Sequence, residues 1–310
     1  MNQYDQSDKQ HGSSNKKGLI YAVLVLLALL LYPLLRRGDG AVSQEEEELL
    51  SNGISLNIPG SSSDNGVSAY TASELRGLEI PYLLEPDKDQ NTIIEHMGYT
   101  VSYNSLHRIP NWVAYELQDS ELYGDFERGD EFNPDPQIRG RQAYDSDYRG
   151  SGWDRGHMAP SGDMKWSSQV QKECFYLSNV CPQSHNLNAG LWNDLEKQVR
   201  YEAKYYGTIW VVTGPVIGDG RYGTIGENKV TIPDGFFKAL LTKDKKTGEF
   251  ISIGFYFPNE SCSGDLSDYA MSVNDLEEIV GMDLFNNLDY SVQESVEDRF
   301  DPWEWRIGDR

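Results

Sequence analysis

One stretch, Trp153 to Glu196, constrains the chain more than any other, because nearly all of its chemistry is crowded there. It opens Trp153-Asp154-Arg155-Gly156-His157-Met158-Ala159-Pro160 and passes through Ser161, Gly162, Asp163 and Met164. It closes with Ser178-Asn179-Val180-Cys181-Pro182-Gln183-Ser184-His185-Asn186-Leu187-Asn188, then Trp192, Leu195 and Glu196. A histidine beside an arginine, asparagines in turn-forming sequence and a glutamate in a helical pattern have to meet in one place. Phosphodiester cleavage needs such parts: a base for water, a cation for the phosphate and oxygen ligands for a hard metal.

Three blocks in this order, Asp154-Arg155-Gly156-His157, Ser178-Asn179…Pro182-Gln183…Leu187-Asn188 and Trp192…Leu195-Glu196, resemble the DNA/RNA non-specific endonucleases of the ββα-metal superfamily, the group that includes endonuclease G. The resemblance runs from about Tyr99 to about Phe285 and leaves the N-terminal hundred residues uncovered.

His157 is the best base, since an ordinary imidazole titrates near pH 6.5 and its neutral form is abundant at working pH. The resemblance implies the same role. Asn188 is the residue expected at the metal, because Mg²⁺ keeps most of its waters and takes few protein ligands. It is also a natural N-cap for the helix that follows. Glu196, eight residues on, would lie two turns along and about 80° round one continuous helix. The resemblance implies that it reaches the ion through a water; a solvated helical carboxylate, or a salt bridge to Arg155, is the alternative. The resemblance further implies that Arg128, ahead of Asp135-Pro136, grips the phosphate, for which a guanidinium is well shaped. Arg139 and Arg141 stand nearby as competitors. Asp154 and Arg155 would orient the site, and Asn179 would tie strand and helix together around it.

Gly18 to Leu35 is an apolar run with no polar face, bracketed by Lys16-Lys17 and Arg36-Arg37. At about 1.5 Å per residue it spans about 27 Å, close to the hydrocarbon thickness of a bilayer. A cleaved signal peptide asks for a shorter run and a small-x-small site, and Gly38-Asp39-Gly40-Ala41 supplies a poor one. We read an uncleaved, single-pass signal anchor. The flanking charges balance, so orientation stays open; the exported side is the more natural place for an unspecific nuclease. Residues 1–17 read as a disordered polar head, 36–75 as a flexible Gly/Ser/Asp/Glu tether, and 76–310 as the catalytic domain.

The formal charge of −22 opposes a nucleic-acid role, since phosphate neutralisation supplies most non-specific affinity. Much of the acid lies outside the matched blocks, in Glu45 to Glu48 and in Glu294, Glu297, Asp298 and Asp301. A local cationic cleft with a bound metal suffices for turnover. The three cysteines, Cys174, Cys181 and Cys262, make no framework and read mainly as buried free thiols.

Strands are expected at Tyr99–Tyr103, Trp112–Leu117, Thr208–Ile217, Phe236–Thr242 and Phe250–Phe257. Asp119 to Tyr148 reads as an irregular loop. Leu191, Leu195, Val199 and Ala203 predict one helix from Asn188 to about Tyr205. A second helix is expected from Val273 to Val280, capped by Ser272, and a docked helix in the tail 293–310. Gly218-Asp219-Gly220-Arg221-Tyr222-Gly223 has the spacing of a dinucleotide fingerprint, but no apolar helix follows, so it reads as a surface loop. Asp163 reads as a turn residue. Without regular βαβ alternation the class is α+β: a central antiparallel sheet with flanking helices and a ββα-metal motif, preceded by one transmembrane helix. The expected function is hydrolysis of DNA and RNA with Mg²⁺ or Mn²⁺ and little sequence preference. Two rivals are a catalytically inactive nucleic-acid or protein-binding relative, and a phosphodiesterase acting on a smaller substrate.

Overall fold

A computed structural model of the chain describes residues 75–84, 91–129 and 131–307, all within the compact unit Gly66–Arg310. The head 1–17, the apolar run 18–35 and the tether as far as 74 lie outside the described residues. Among the described residues no helix is long and apolar enough to cross a membrane.

The described chain begins with β1 (Tyr82–Leu83), β2 (Thr92–Glu95), β3 (Thr100–Asn104), β4 (Ile109–Gln118) and the short helix α1 (Asp145–Tyr148). The polar stretch then forms β5 (Asp154–His157), α2 (Ser168–Glu173), β6 (Val180–Gln183), α3 (His185–Asn188) and α4 (Leu191–Tyr206). There follow β7 (Thr208–Val216), β8 (Thr224–Ile225), β9 (Val230–Thr231), β10 (Gly235–Lys243), β11 (Phe250–Pro258) and β12 (Ala270–Met271). The last elements are α5 (Val273–Val280), β13 (Met282–Asp283) and α6 (Tyr290–Glu297).

Seven strands make one sheet in the order β12-β11-β10-β7-β4-β3-β2, and every neighbouring pair is antiparallel. Strand alternation supplies two apolar faces. Val113, Tyr115, Ile209, Val211, Phe236 and Leu240 pack on one side; Trp112, Ala114, Trp210, Val212, Phe237 and Ala239 pack on the other. Both faces must therefore be covered. Helix α4 covers the first with Trp192, Leu195, Val199 and Ala203; α5 covers the second with Val273 and Leu276, beside Leu284 and Phe285. Each fully buried side chain of this size contributes about 1.5–3 kcal/mol. Outside the large sheet, β5 pairs antiparallel with β6, Asp154 opposite Gln183 and His157 opposite Val180.

The five expected strands are present to within a few residues, and α5 starts as read, with the Ser272 Oγ accepting from the Asp275 N–H. Three expectations need correction. The helix from Asn188 is two helices, α3 and α4, because the backbone turns at Ala189–Gly190. Gly190, and not Asn188, caps α4; a Cβ on Gly190 would sit 2.4 Å from the Asn186 carbonyl oxygen. The tail helix lies earlier, at α6, while the later tail forms turns that bury Trp305 and leave Trp303 exposed. The Asp119–Tyr148 loop begins with a 3-10 turn and ends in α1.

Candidate active site

The paired strands β5 and β6 hold His157 at the end of β5, and close pairing requires glycine one residue before it. A Cβ on Gly156 would lie 2.2 Å from the Gln183 Oε1. Just past His157 the chain is clamped by Asn179, which is fully buried. Its Oδ1 accepts from the Ala159 N–H at 2.9 Å, and its Nδ2 donates to the carbonyls of Ala159 and Cys174 at 2.9 and 2.8 Å. Asn179 thus fixes the backbone behind the histidine and does not line the cleft.

The His157 ring packs 5.2 Å from Phe132 and 4.9 Å, edge-on, from Phe175. The segment carrying Phe132 is tethered by Asn133, whose N–H donates to the Phe175 carbonyl and whose carbonyl accepts from the Leu177 N–H. Trp192 of α4 reaches over to donate its indole N–H to the His157 carbonyl at 3.4 Å. Burial in this aromatic nest, reinforced by the Arg128 guanidinium, pushes the imidazole down to about 3. Its Nε2 is buried without a hydrogen-bond partner. The ring is therefore neutral across the physiological range.

A cleft of about 380 Å³ opens beside it, lined by Arg128, Arg155, His157, Asn188, Glu196 and Arg200 among others. Five of the seven side chains singled out in the sequence meet there. Arg139 and Arg141 are exposed and stand apart from it. Asp154 stands behind Asn188: one carboxylate oxygen accepts from the Asn188 Nδ2 at 3.0 Å and from the His185 Nδ1 at 2.8 Å. A carboxylate accepts only, so the amide must turn its NH₂ to Asp154, which leaves Oδ1 for the cleft.

Arg155 does not form the salt bridge to Glu196 weighed as an alternative. It pairs with Asp145 of α1, Nε to Oδ1 at 2.6 Å, and not with Glu196, while its guanidinium lies over the rings of Phe132 and Tyr148. The break at Gly190 also voids the single-helix spacing between Asn188 and Glu196. Glu196 is half-buried, accepts no hydrogen bond from a described side chain, and shares a buried electrostatic cluster with Lys238, Asp163 and Arg200. Burial raises its carboxyl against the pull of Lys238; burial lowers the Lys238 ammonium against the pull of Glu196.

Asp163 is more than a turn residue. It is fully buried, receives the Arg200 guanidinium at 2.7 Å and accepts from the Tyr115 hydroxyl at 2.9 Å. Lys238 projects from β10 toward the site, its Nζ 3.4 Å from the Met158 carbonyl and 4.9 Å from the Trp192 ring centre. Arg200, Lys238 and Asp145 were not singled out from the sequence. Arg200 lies one turn past Glu196 on α4, a spacing that puts both on one face. Lys238 is a lone charge in the apolar run Phe236–Leu241, and that interruption was its signal.

Among the described residues no group of three or more His, Cys, Asp or Glu side chains could hold an ion. A closed cage of the zinc or calcium kind is therefore not built from them. One free amide oxygen and one nearby carboxylate, both hard donors, fit an ion that keeps most of its own waters, as Mg²⁺ does. All three cysteines are free, Cys174 and Cys181 buried and Cys262 half-buried, so none supplies a bridge.

Residues 84–291 match the family model described as DNA/RNA non-specific endonuclease, somewhat beyond both ends of the resemblance read from the motifs. The chain belongs to the DNA/RNA non-specific endonuclease family. Among its relatives, the mitochondrial nuclease EXOG of Homo sapiens is 37% identical over 209 residues, covering 63% of this chain and 57% of that one. The mitochondrial endonuclease G of Homo sapiens is 38% identical over 155 residues, covering 46% and 52%. The chain thus spans little more than half the length of these mitochondrial relatives. A nuclease of the cyanobacterium Nostoc is 32% identical over 231 residues, covering 71% of this chain and 82% of that one. A crystal structure described as the EndoG/EndoGI complex superimposes with a TM-score of 0.60 at 29% identity, covering 66% of this chain and 89% of that one. The chain thus shares its fold with that structure.

Proposed function

We propose that this chain is a divalent-metal-dependent endonuclease that hydrolyses phosphodiester bonds of DNA and RNA with little sequence preference. The observation that carries the reading is a neutral, buried imidazole with a free Nε2, lining one cleft with a carbonyl-presenting asparagine and three arginines. Of the three arginines lining the cleft, Arg155 and Arg200 are paired with Asp145 and Asp163, so Arg128 is the cation left to draw in a phosphate that the whole chain repels.

His157 acts as the general base. A water oxygen bonds to phosphorus, its proton passes to the imidazole, the bond from phosphorus to the leaving oxygen breaks, and that oxygen takes a proton from solvent. The phosphate's negative charge raises the imidazole's proton affinity when the proton must be accepted, which counters the low resting value. A Mg²⁺ or Mn²⁺ ion, held by Asn188 with Glu196 near its water shell, would supply neutralisation of the charge that builds on the phosphoryl oxygens. Asp154 keeps the Asn188 amide turned the right way. Among the described residues Arg128 has no carboxylate partner, unlike Arg155 and Arg200, and is free to grip the phosphate. Contacts of this kind fall on the backbone and carry no base information.

We further propose that residues 18–35 tether the domain to a membrane, with the exported side as the natural place for an unspecific nuclease. Plasmid nicking with and without EDTA tests the chemistry: cleavage stops on chelation and returns with Mg²⁺, and indifference to chelation would overturn the metal-dependent reading.

A further inference from the structure

A second cavity, of about 450 Å³, opens on the other side of Asp154. Its walls include Trp153, Tyr222, Ser184, His185, Asn186 and Glu260. Tyr222 comes from the Gly218–Gly223 loop, whose glycine spacing serves no nucleotide fingerprint. The loop brings the Tyr222 ring 5.3 Å from the Trp153 ring, edge to face, and sets the Arg221 guanidinium 4.5 Å from the Tyr222 ring centre. Two aromatic rings in contact are an unusual lining for a polar surface cavity. They are what a nucleobase stacks on, because every base has a π-face, and Arg221 backs the Tyr222 ring from outside the lining.

The position of this cavity matters as much as its lining. His185 in its wall and Asn188 in the wall of the catalytic cleft both donate to the same Asp154 oxygen, at 2.8 and 3.0 Å. One carboxylate thus bonds to a residue from each wall, so the two cavities are neighbours. Trp153 adjoins Asp154 in the chain, so the aromatic wall continues directly into strand β5.

We propose that the Trp153–Tyr222 cavity is a stacking subsite for an unpaired nucleobase beside the scissile phosphate. Bases in a duplex are stacked and paired and cannot enter without being flipped out. The enzyme therefore engages single strands in preference to duplex. Stacking tolerates every base, so the subsite discriminates strandedness without reading sequence. The proposal rests on the nuclease reading above.

The test compares kcat/KM of the full chain on a single-stranded oligonucleotide and on the same sequence in duplex, for wild type, Tyr222→Ala and Tyr222→Phe. Wild type favours the single strand, Tyr222→Ala shrinks that preference roughly tenfold, the typical loss for one stacked base, and Tyr222→Phe keeps it. A preference unmoved in Tyr222→Ala, or lost equally in Tyr222→Phe, would overturn the subsite. A second arm needs neither turnover nor a variant. With EDTA present, fluorescence anisotropy of wild type should show tighter binding of a labelled single strand than of an abasic strand with the same phosphates. Equal binding of the two refutes the subsite. Should wild type cut neither substrate, the nuclease reading fails, and the anisotropy arm still decides the stacking question.

Discussion

At the scale of single residues the account rests on an imidazole kept neutral by its surroundings. His157→Ala should lower kcat by about 10²- to 10⁴-fold, the range expected for loss of a general base, measured on supercoiled plasmid. The same burial has a consequence for stability. The unfolded imidazole titrates near 6.5 and the folded one near 3, so between those values the unfolded chain binds the extra proton. The contribution is complete above about pH 6.5 and lost as pH falls toward 3. Urea unfolding at pH 7 and pH 5 should show a smaller loss on acidification for His157→Gln than for wild type. Equal losses would mean that the ring is hydrated in solution. His157, Asn188 and Glu196 were legible because short motifs mark them in fixed order. Asp145, the partner of Arg155, was not, since nothing local to a loop aspartate says which guanidinium ten residues away will find it.

At the scale of elements, the break between α3 and α4 aims Asn188. Gly190→Ala would force its Cβ against the Asn186 carbonyl, so α3 must shift. The expected outcome is a loss of activity of at least about tenfold with a higher Mg²⁺ concentration for half-activation, since misplacing a positioned group by about 1 Å can cost about a hundredfold. A second link runs through Asp163, which joins Tyr115 on β4 to Arg200 on α4. Asp163→Ala leaves a half-buried guanidinium unpaired and should cost about 3–5 kcal/mol in urea unfolding, as broken buried pairs do. A cost under about 1 kcal/mol would show that water already screens the pair. The long strands were readable from runs such as Ile209–Val212 and Phe250–Phe257, and α5 from its serine cap. The two-helix form of 185–206 was not, because Leu191, Leu195 and Val199 continue an apolar stripe whichever residue caps the helix. The buried charge cluster was equally hidden: its members come from β10, α4 and a turn, and only the folded sheet brings them together.

At the scale of the whole molecule, the tension is between a chain of formal charge −22 and an anionic substrate. The cleft resolves it locally through Arg128, since Arg155 and Arg200 are held by Asp145 and Asp163. Binding that depends on about one phosphate contact should weaken with salt on a log–log slope of about −1. A flat salt response would mean that Arg128 does not meet the backbone. The apolar run 18–35 carries a separate expectation, that the intact protein sediments with membranes and that its domain is cut by external protease; a wholly soluble, protected protein would contradict the anchor. The account as a whole depends on one base and one hydrated ion acting in the same cleft. Single-turnover cleavage of plasmid by wild type and His157→Ala, after removal of metal and across a Mg²⁺ titration, measures both at once. Wild type should be silent without metal and recover with it, while His157→Ala stays at least about a hundredfold slower at every concentration. Cleavage by metal-free wild type, or a variant within tenfold of it at saturating Mg²⁺, would contradict the mechanism.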